Sequence, residues 1–225
     1  MKIGISINGV LRNYFKQIEK THSKYFPPEE GEEGIKVLDY NLENWITFPV
    51  EESEQAEVTF DPNFDPFSSE SRKDVEDLDL EPVLDSVTID EFMYERCTLE
   101  IFGSAEEMVS NAMHTLNNLI IDYPQHDFVI MSRETGLSVP STYFFLSKTS
   151  CMAHEVKFVT DSRDQWKFVD VMVTDHPDII DSTPEDKTCI IVDKPFNTYI
   201  TTPNIRIESI KELGDVLKSL EETVQ

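Results

Sequence analysis

The chain has 225 residues, 39 % of them apolar and 10 % aromatic, enough to bury the core of one large domain. Its formal net charge of −25 gives a surface that repels nucleic acid and anionic membranes, so neither is an expected partner. No apolar run approaches the ~20 residues of a membrane-spanning helix, and no charged-then-apolar leader opens the chain, so a cytoplasmic location is expected.

Lys2–Ile7 is an apolar strand that stops at small polar residues, and Gly9-Val-Leu11 leads straight into an amphipathic stretch. Leu11, Tyr14, Phe15, Ile18, His22 and Tyr25 fall at helical spacing, with Arg12, Lys16, Lys20 and Lys24 between them; Pro27-Pro28 ends the helix. His22 lies on the apolar stripe and reads as a packed histidine. Residues 27–95 differ in kind, with 22 acidic residues against 3 basic ones. They mark an acidic insertion between core segments 1–26 and 96–225. Inside it, Ile35–Leu38, Asn44–Val50 and Glu57–Phe60 predict short strands, 61–67 a turn-rich stretch and 68–84 a solvated charged segment. Asp61 and Asp65 lack the spacing of a calcium loop.

Beyond the insertion, Ser104-Ala-Glu-Glu107 predicts a capping box for a helix reaching about Ile121. Phe128–Met131 is a buried strand ending at Ser132, followed by a helix over 140–150 and a strand over Val156–Thr160. Asp164–Phe168 predicts a turn or short helix, Asp170–Thr174 a strand ending at Asp175, Thr188–Val192 another strand, and Ser209–Glu222 a last helix. Cys97, Cys151 and Cys189 stand far apart with no Cys-x-x-Cys, as reduced intracellular thiols do. Strands alternating with helices predict an α/β fold: a three-layer, Rossmann-like parallel sheet flanked by helices. Right-handed crossovers gather the strand ends after Ile7, Met131 and Val173 on one edge, where open sheets bind ligands.

That edge carries a resemblance. Ser6-Ile-Asn8-Gly9-Val10-Leu11 resembles the opening motif of the haloacid dehalogenase-like (HAD) phosphohydrolases, Asp-x-Asp-Gly-Val-Leu. In that family the first Asp is the nucleophile and the second the general acid/base; here Ser6 and Asn8 stand in their places. Phe128-Val-Ile-Met-Ser132 resembles the second motif, whose hydroxyl binds phosphate, and Lys167 is the nearest candidate for the lysine of the third, with Lys157 second. Asp170-Val-Met-Val-Thr-Asp-His-Pro-Asp178 resembles the last motif, as the 5′(3′)-deoxyribonucleotidase branch carries it, with Thr174 in place of the first acid and Asp175 as the second. Ile190-Ile-Val-Asp-Lys-Pro-Phe-Asn197 is similar to a strand and turn of the same branch. The resemblance covers 1–26 and 99–215 and puts the acidic lobe 27–95 at the family's cap position. It implies phosphate contacts from Ser132, Lys167 and the backbone at Gly9, and a metal ligand at Asp175.

The departures point away from catalysis. Magnesium takes hard oxygen ligands, and sites of this type supply most of the protein charge as carboxylates. Ser6, Asn8 and Thr174 remove three of them and leave Asp175, with Asp178 or Asp181 as stand-ins. An unactivated serine is a weak nucleophile, and asparagine cannot shuttle a proton; His176 or His154 would have to activate Ser6. The expected function is therefore a catalytically degenerate HAD-like protein acting as a protein-binding or structural module, with no cofactor. Its acidic lobe would take a protein partner or a second copy, and such a frame would suit a viral or phage virion or assembly component. The alternatives are a magnesium-dependent phosphatase or 5′-nucleotidase with a rearranged site, and a non-hydrolysing phosphate or nucleotide sensor.

Overall fold

The computed structural model describes residues 1–48, 87–201 and 205–224. By packing, the chain divides into two units, Met1–Thr47 with Ile89–Gln225, and Phe48–Thr88. Every element below belongs to the first. The predicted strand Glu57–Phe60 and the stretches 61–67 and 68–84 lie outside the described residues.

Six strands form one parallel sheet: β1 (Lys2–Ser6), β2 (Asp127–Ser132), β3 (Glu155–Phe158), β4 (Val171–Thr174), β5 (Thr188–Val192) and β6 (Ile205–Ile207). Their spatial order is β3-β2-β1-β4-β5-β6. The chain steps outward from β1 to β3, then restarts on the other side of β1 at β4. The crevice between β1 and β4 is thus the switch point where such sheets place their ligands.

Helices α1 (Tyr14–Tyr25), α2 (Ala112–Asp122), α3 (Ser138–Lys148), α4 (Ser162–Gln165), α5 (Pro177–Asp181) and α6 (Leu213–Val224) complete the expected Rossmann-like α/β arrangement. Strand side chains alternate between two cores. Ile3, Ile5, Ile130, Val173 and Ile190 pack with Met113, Leu116, Phe145, Leu213 and Leu217 of α2, α3 and α6. Val129, Met131, Met172 and Ile191 pack with Trp166, Ile179 and Ile180 on the opposite face. A sheet covered on both faces needs apolar residues at nearly every strand position, which is why β1, β2, β4 and β5 read as apolar runs. Gly4 serves the second core: a Cβ there would lie 2.9 Å from Val169 Cγ1 and 3.1 Å from Met131 Cγ.

Four local expectations need correction. Arg12 is not on the solvent face of a helix; it precedes α1 and is 0 % exposed. Ile35–Leu38 is not a strand: Val37 gives its backbone N–H to the Glu19 carboxylate at 2.8 Å instead of to a ladder. Leu42–Asn44 is a 3₁₀ turn, where a strand was expected from Asn44. Ser104–Glu107 does not form a capping box at the head of a helix; only Glu107 reaches α2, where its carboxylate accepts the Met113 N–H at 3.4 Å. The β1–α1 connection holds 106–108 extended, through Asn13 N–H to Glu106 O (2.9 Å) and Met108 N–H to Leu11 O (2.7 Å), and α2 starts only after Asn111, which has φ +66°.

The sheet-bearing unit also takes in 27–47 and 89–95, which composition alone had assigned to the acidic lobe. Aromatic packing decides this. The Tyr40 ring lies 4.9 Å from Phe15, 5.7 Å from Phe196 and 4.1 Å from His176, centroid to centroid. Residues 92–96 and 99–103 form two π-helical turns that bury Phe92, Met93, Ile101 and Phe102.

Candidate functional site

Ser6, Ser132 and Thr174 end three adjacent strands, so the sheet register alone brings them together. Ser6 Oγ donates to Thr174 Oγ1 at 2.8 Å, and Thr174 Oγ1 also accepts the His176 backbone N–H at 3.2 Å. Both side chains are buried, Thr174 completely. Above them opens a cavity of about 530 Å³, lined by Ser6, Asn8, Tyr94, Ser132, Arg133, Glu134 and His176 among others.

Asn8 is held from both ends. Its Nδ2 donates to Glu134 Oε1 at 2.7 Å, while its Oδ1 accepts from Arg12 Nε at 2.9 Å and Nη2 at 2.6 Å. Arg12 spends its remaining donors on Glu134 Oε1 (2.5 Å), Phe102 O (2.8 Å) and Thr142 Oγ1 (3.0 Å). A guanidinium has five N–H groups, and these five bonds use them all. Burial pushes the Arg12 ionisation down, and Glu134 beside it pulls the other way. One ion pair therefore ties the end of β1 to the β2–α3 loop, to α3 and to the second π-helical turn. Glu134 Oε2 is buried with no hydrogen-bond partner.

Asp175 turns away from this cavity. Its Oδ1 accepts from the Tyr40 hydroxyl at 2.8 Å, and its Oδ2, buried without a hydrogen-bond partner, lies against the Gly9 backbone. A Cβ at position 9 would sit 1.9 Å from that oxygen, and Gly9 has φ +74°, so glycine is required twice over. Burial lifts the Asp175 carboxyl to about 6; the Tyr40 hydrogen bond and the Lys194 charge offset only part of that. Asp175, Gly9 and Lys194 line a separate cavity of about 40 Å³. Burial and Arg133 push His176 down to about 3, so its ring is neutral, with Nε2 against Arg133 Nη1.

Of the residues singled out in the sequence, Ser6, Asn8 and Ser132 line one cavity, and Thr174 bonds to Ser6 from beneath. Gly9 and Asp175 meet each other next door. The Gly9 N–H is spent on Arg12 O at 3.1 Å, so it does not serve a phosphate. Lys167 is not at the site: α4 has already carried the chain back toward the amino end of β4, and Lys167 pairs with Asp164 in solvent. Lys157 pairs with Glu155 on the edge strand. The histidines do not activate Ser6 either, since His176 faces Arg133 and His154 Nδ1 accepts the Phe128 N–H at the opposite end of the sheet.

The residues missed are Arg12, Tyr40, Tyr94, Arg133 and Glu134. Arg133 and Glu134 follow Ser132 directly, and their position at a strand end was the one available signal. Nothing local pairs position 12 with position 134.

The magnesium ion that the sequence resemblance implies does not fit these residues. Ser6 and Thr174 are bonded to each other, Asn8 offers its oxygen to Arg12, and Asp175 gives one oxygen to Tyr40 and presses the other on Gly9. Among the described residues no three His, Cys, Asp or Glu side chains are grouped to hold a metal ion, and no helix is long and apolar enough to cross a membrane. No protein-family model and no curated protein matches the chain.

Proposed function

We propose that the chain is a haloacid dehalogenase-like protein that does not hydrolyse phosphate esters and works as a protein-binding or structural module. The Ser6–Thr174 hydrogen bond carries this reading. In the family these two positions hold acids that face a cation; here two neutral hydroxyls satisfy each other. Arg12 supports it from the second catalytic position, because a saturated guanidinium fixes Asn8 in a role that exchanges no proton. The acidic surface suits a basic protein partner, as in a virion or its assembly. The test is magnesium-dependent hydrolysis of a panel of phosphomonoesters, including nucleoside 5′-monophosphates. No turnover above background is expected from the wild type. Sustained turnover that Asp175→Ala abolishes would overturn the proposal in favour of a rearranged nucleotidase.

One observation favours a second reading, a sensor that binds phosphate or nucleotide without cleaving it. Ser132 and Arg133 line the same cavity, and Arg133 stands there in the part expected of Lys167. A ligand that binds only the folded chain raises its melting temperature. A nucleotide panel that leaves the melting temperature of the wild type unmoved excludes this reading.

A further inference from the structure

β3 closes one end of the sheet, with β2 on one side and, among the described residues, no strand on the other. In the β2–β3 ladder Ser132 O accepts the Val159 N–H at 2.8 Å. Alternation along a parallel strand then turns the backbone groups of 155 and 157 toward β2 and those of Val156 and Phe158 outward. Open edges invite pairing with another chain, and a lysine on the edge ordinarily discourages it. Here the lysine stands two residues from a glutamate. Lys157 Nζ lies 2.6 Å from Glu155 Oε1 within the strand, and both side chains are about one-third exposed.

We propose that two copies of the chain pair antiparallel along β3, about a two-fold axis through Val156. Such an axis sets each Val156 opposite its symmetry mate, so their outward N–H and C=O groups exchange hydrogen bonds. It also places Glu155 of each copy opposite Lys157 of the other, in the closer, non-hydrogen-bonded class of cross-strand pair. The strand is thus complementary to itself in charge. The axis stands normal to the sheet, so both α3 helices lie on the same face beside the seam. There the outer surface fits a like-charged neighbour. Residues 135–147 contain no charged side chain in a chain of net charge −25. Leu137, Tyr143 and Phe144 are 61 %, 50 % and 51 % exposed, and Tyr143 packs edge-on against Phe158 at 5.4 Å. Two such acidic chains repel across most of their surfaces, and this edge is where a copy can approach. The pairing asks nothing of the pocket and stands apart from the function proposed above.

The test is sedimentation equilibrium of the full chain at physiological salt, where long-range repulsion is largely screened. The wild type should show twice the 26.0 kDa chain mass. Lys157→Glu sets glutamates opposite each other and should raise the dimer dissociation constant at least about tenfold. The swap Glu155→Lys/Lys157→Glu restores opposite signs across the seam and should recover the dimer, which separates loss of pairing from loss of fold. A wild type that stays monomeric at about 100 µM overturns the proposal. A Lys157→Glu chain that dimerises as the wild type does, or a folded swap variant that stays monomeric, also overturns it.

Discussion

Arg12 and Glu134, 122 positions apart in the chain, form an ion pair at 2.5 Å with side chains 0 % and 1 % exposed. It sits where the sheet's strand ends converge, and it is what the rest of the site leans on. Removing one member of a buried pair leaves the other charge without compensation, which costs about 3–5 kcal/mol. Arg12→Met should lower stability by that amount in urea unfolding. Arg12→Met/Glu134→Gln should recover a large part of it, because the stranded charge is gone. A double mutant no more stable than the single would show that the hydrogen bonds to Phe102 and Thr142, not the charge pair, hold the site.

An acid at position 8, where the motif that the sequence resembles carries one, should harm the fold. Asn8 Nδ2 donates to Glu134 Oε1 at 2.7 Å; Asn8→Asp puts a second carboxylate oxygen there. Two buried carboxylates beside one guanidinium repel each other, so the pair binds a proton more tightly in the folded chain than in the unfolded one. Near neutral pH the variant should lose about 1–3 kcal/mol, since one oxygen faces another without a donor. A raised folded value means that stability returns as the pH falls, so the loss should shrink toward about pH 5. Equal unfolding midpoints for variant and wild type at neutral pH would contradict this.

Asp175 sets a slope of stability with pH. Its folded carboxyl titrates near 6 rather than 3.8 because it is buried. The folded chain therefore keeps a proton that the unfolded chain gives up first. Stability present below about pH 4 is lost as the pH rises through about 6, on the order of 2–3 kcal/mol in all. Asp175→Asn still accepts from the Tyr40 hydroxyl and removes the titration. Its stability relative to wild type should rise by that amount from acid to neutral pH. A difference that does not change with pH would rule the effect out.

Gly9→Ala tests the close approach of Asp175. The new Cβ would meet the carboxylate at 1.9 Å on a backbone with φ +74°, and a melting curve should show a loss of more than about 2 kcal/mol. Pairing it with Asp175→Ala removes the clash and leaves the backbone strain, worth about 1–2 kcal/mol. If the two losses simply add, Asp175 is not what excludes a side chain at position 9.

The alternation of apolar runs with helical spacing was enough to place β1 to β5 and four of the helices, because a sheet covered by helices leaves that pattern in any chain that forms it. The same pattern brought Ser6, Ser132 and Thr174 to one edge, since parallel strands joined by right-handed crossovers end on the same side. β6 and α5, three and five residues long, are too short to leave a period. What the side chains do at that edge was decided in three dimensions. Arg12 reads as one of four basic residues on a helix until folding sets Glu134, Asn8 and Thr142 around it. Tyr40 reads as part of an acidic insertion until its ring and hydroxyl close on His176 and Asp175. Lys167 sits near Asp175 in sequence, but α4 returns the chain to the far end of the sheet before β4 begins. Periodicity reports which face of an element is buried; it carries no information on which distant polar group waits there, and burial makes that partner decisive.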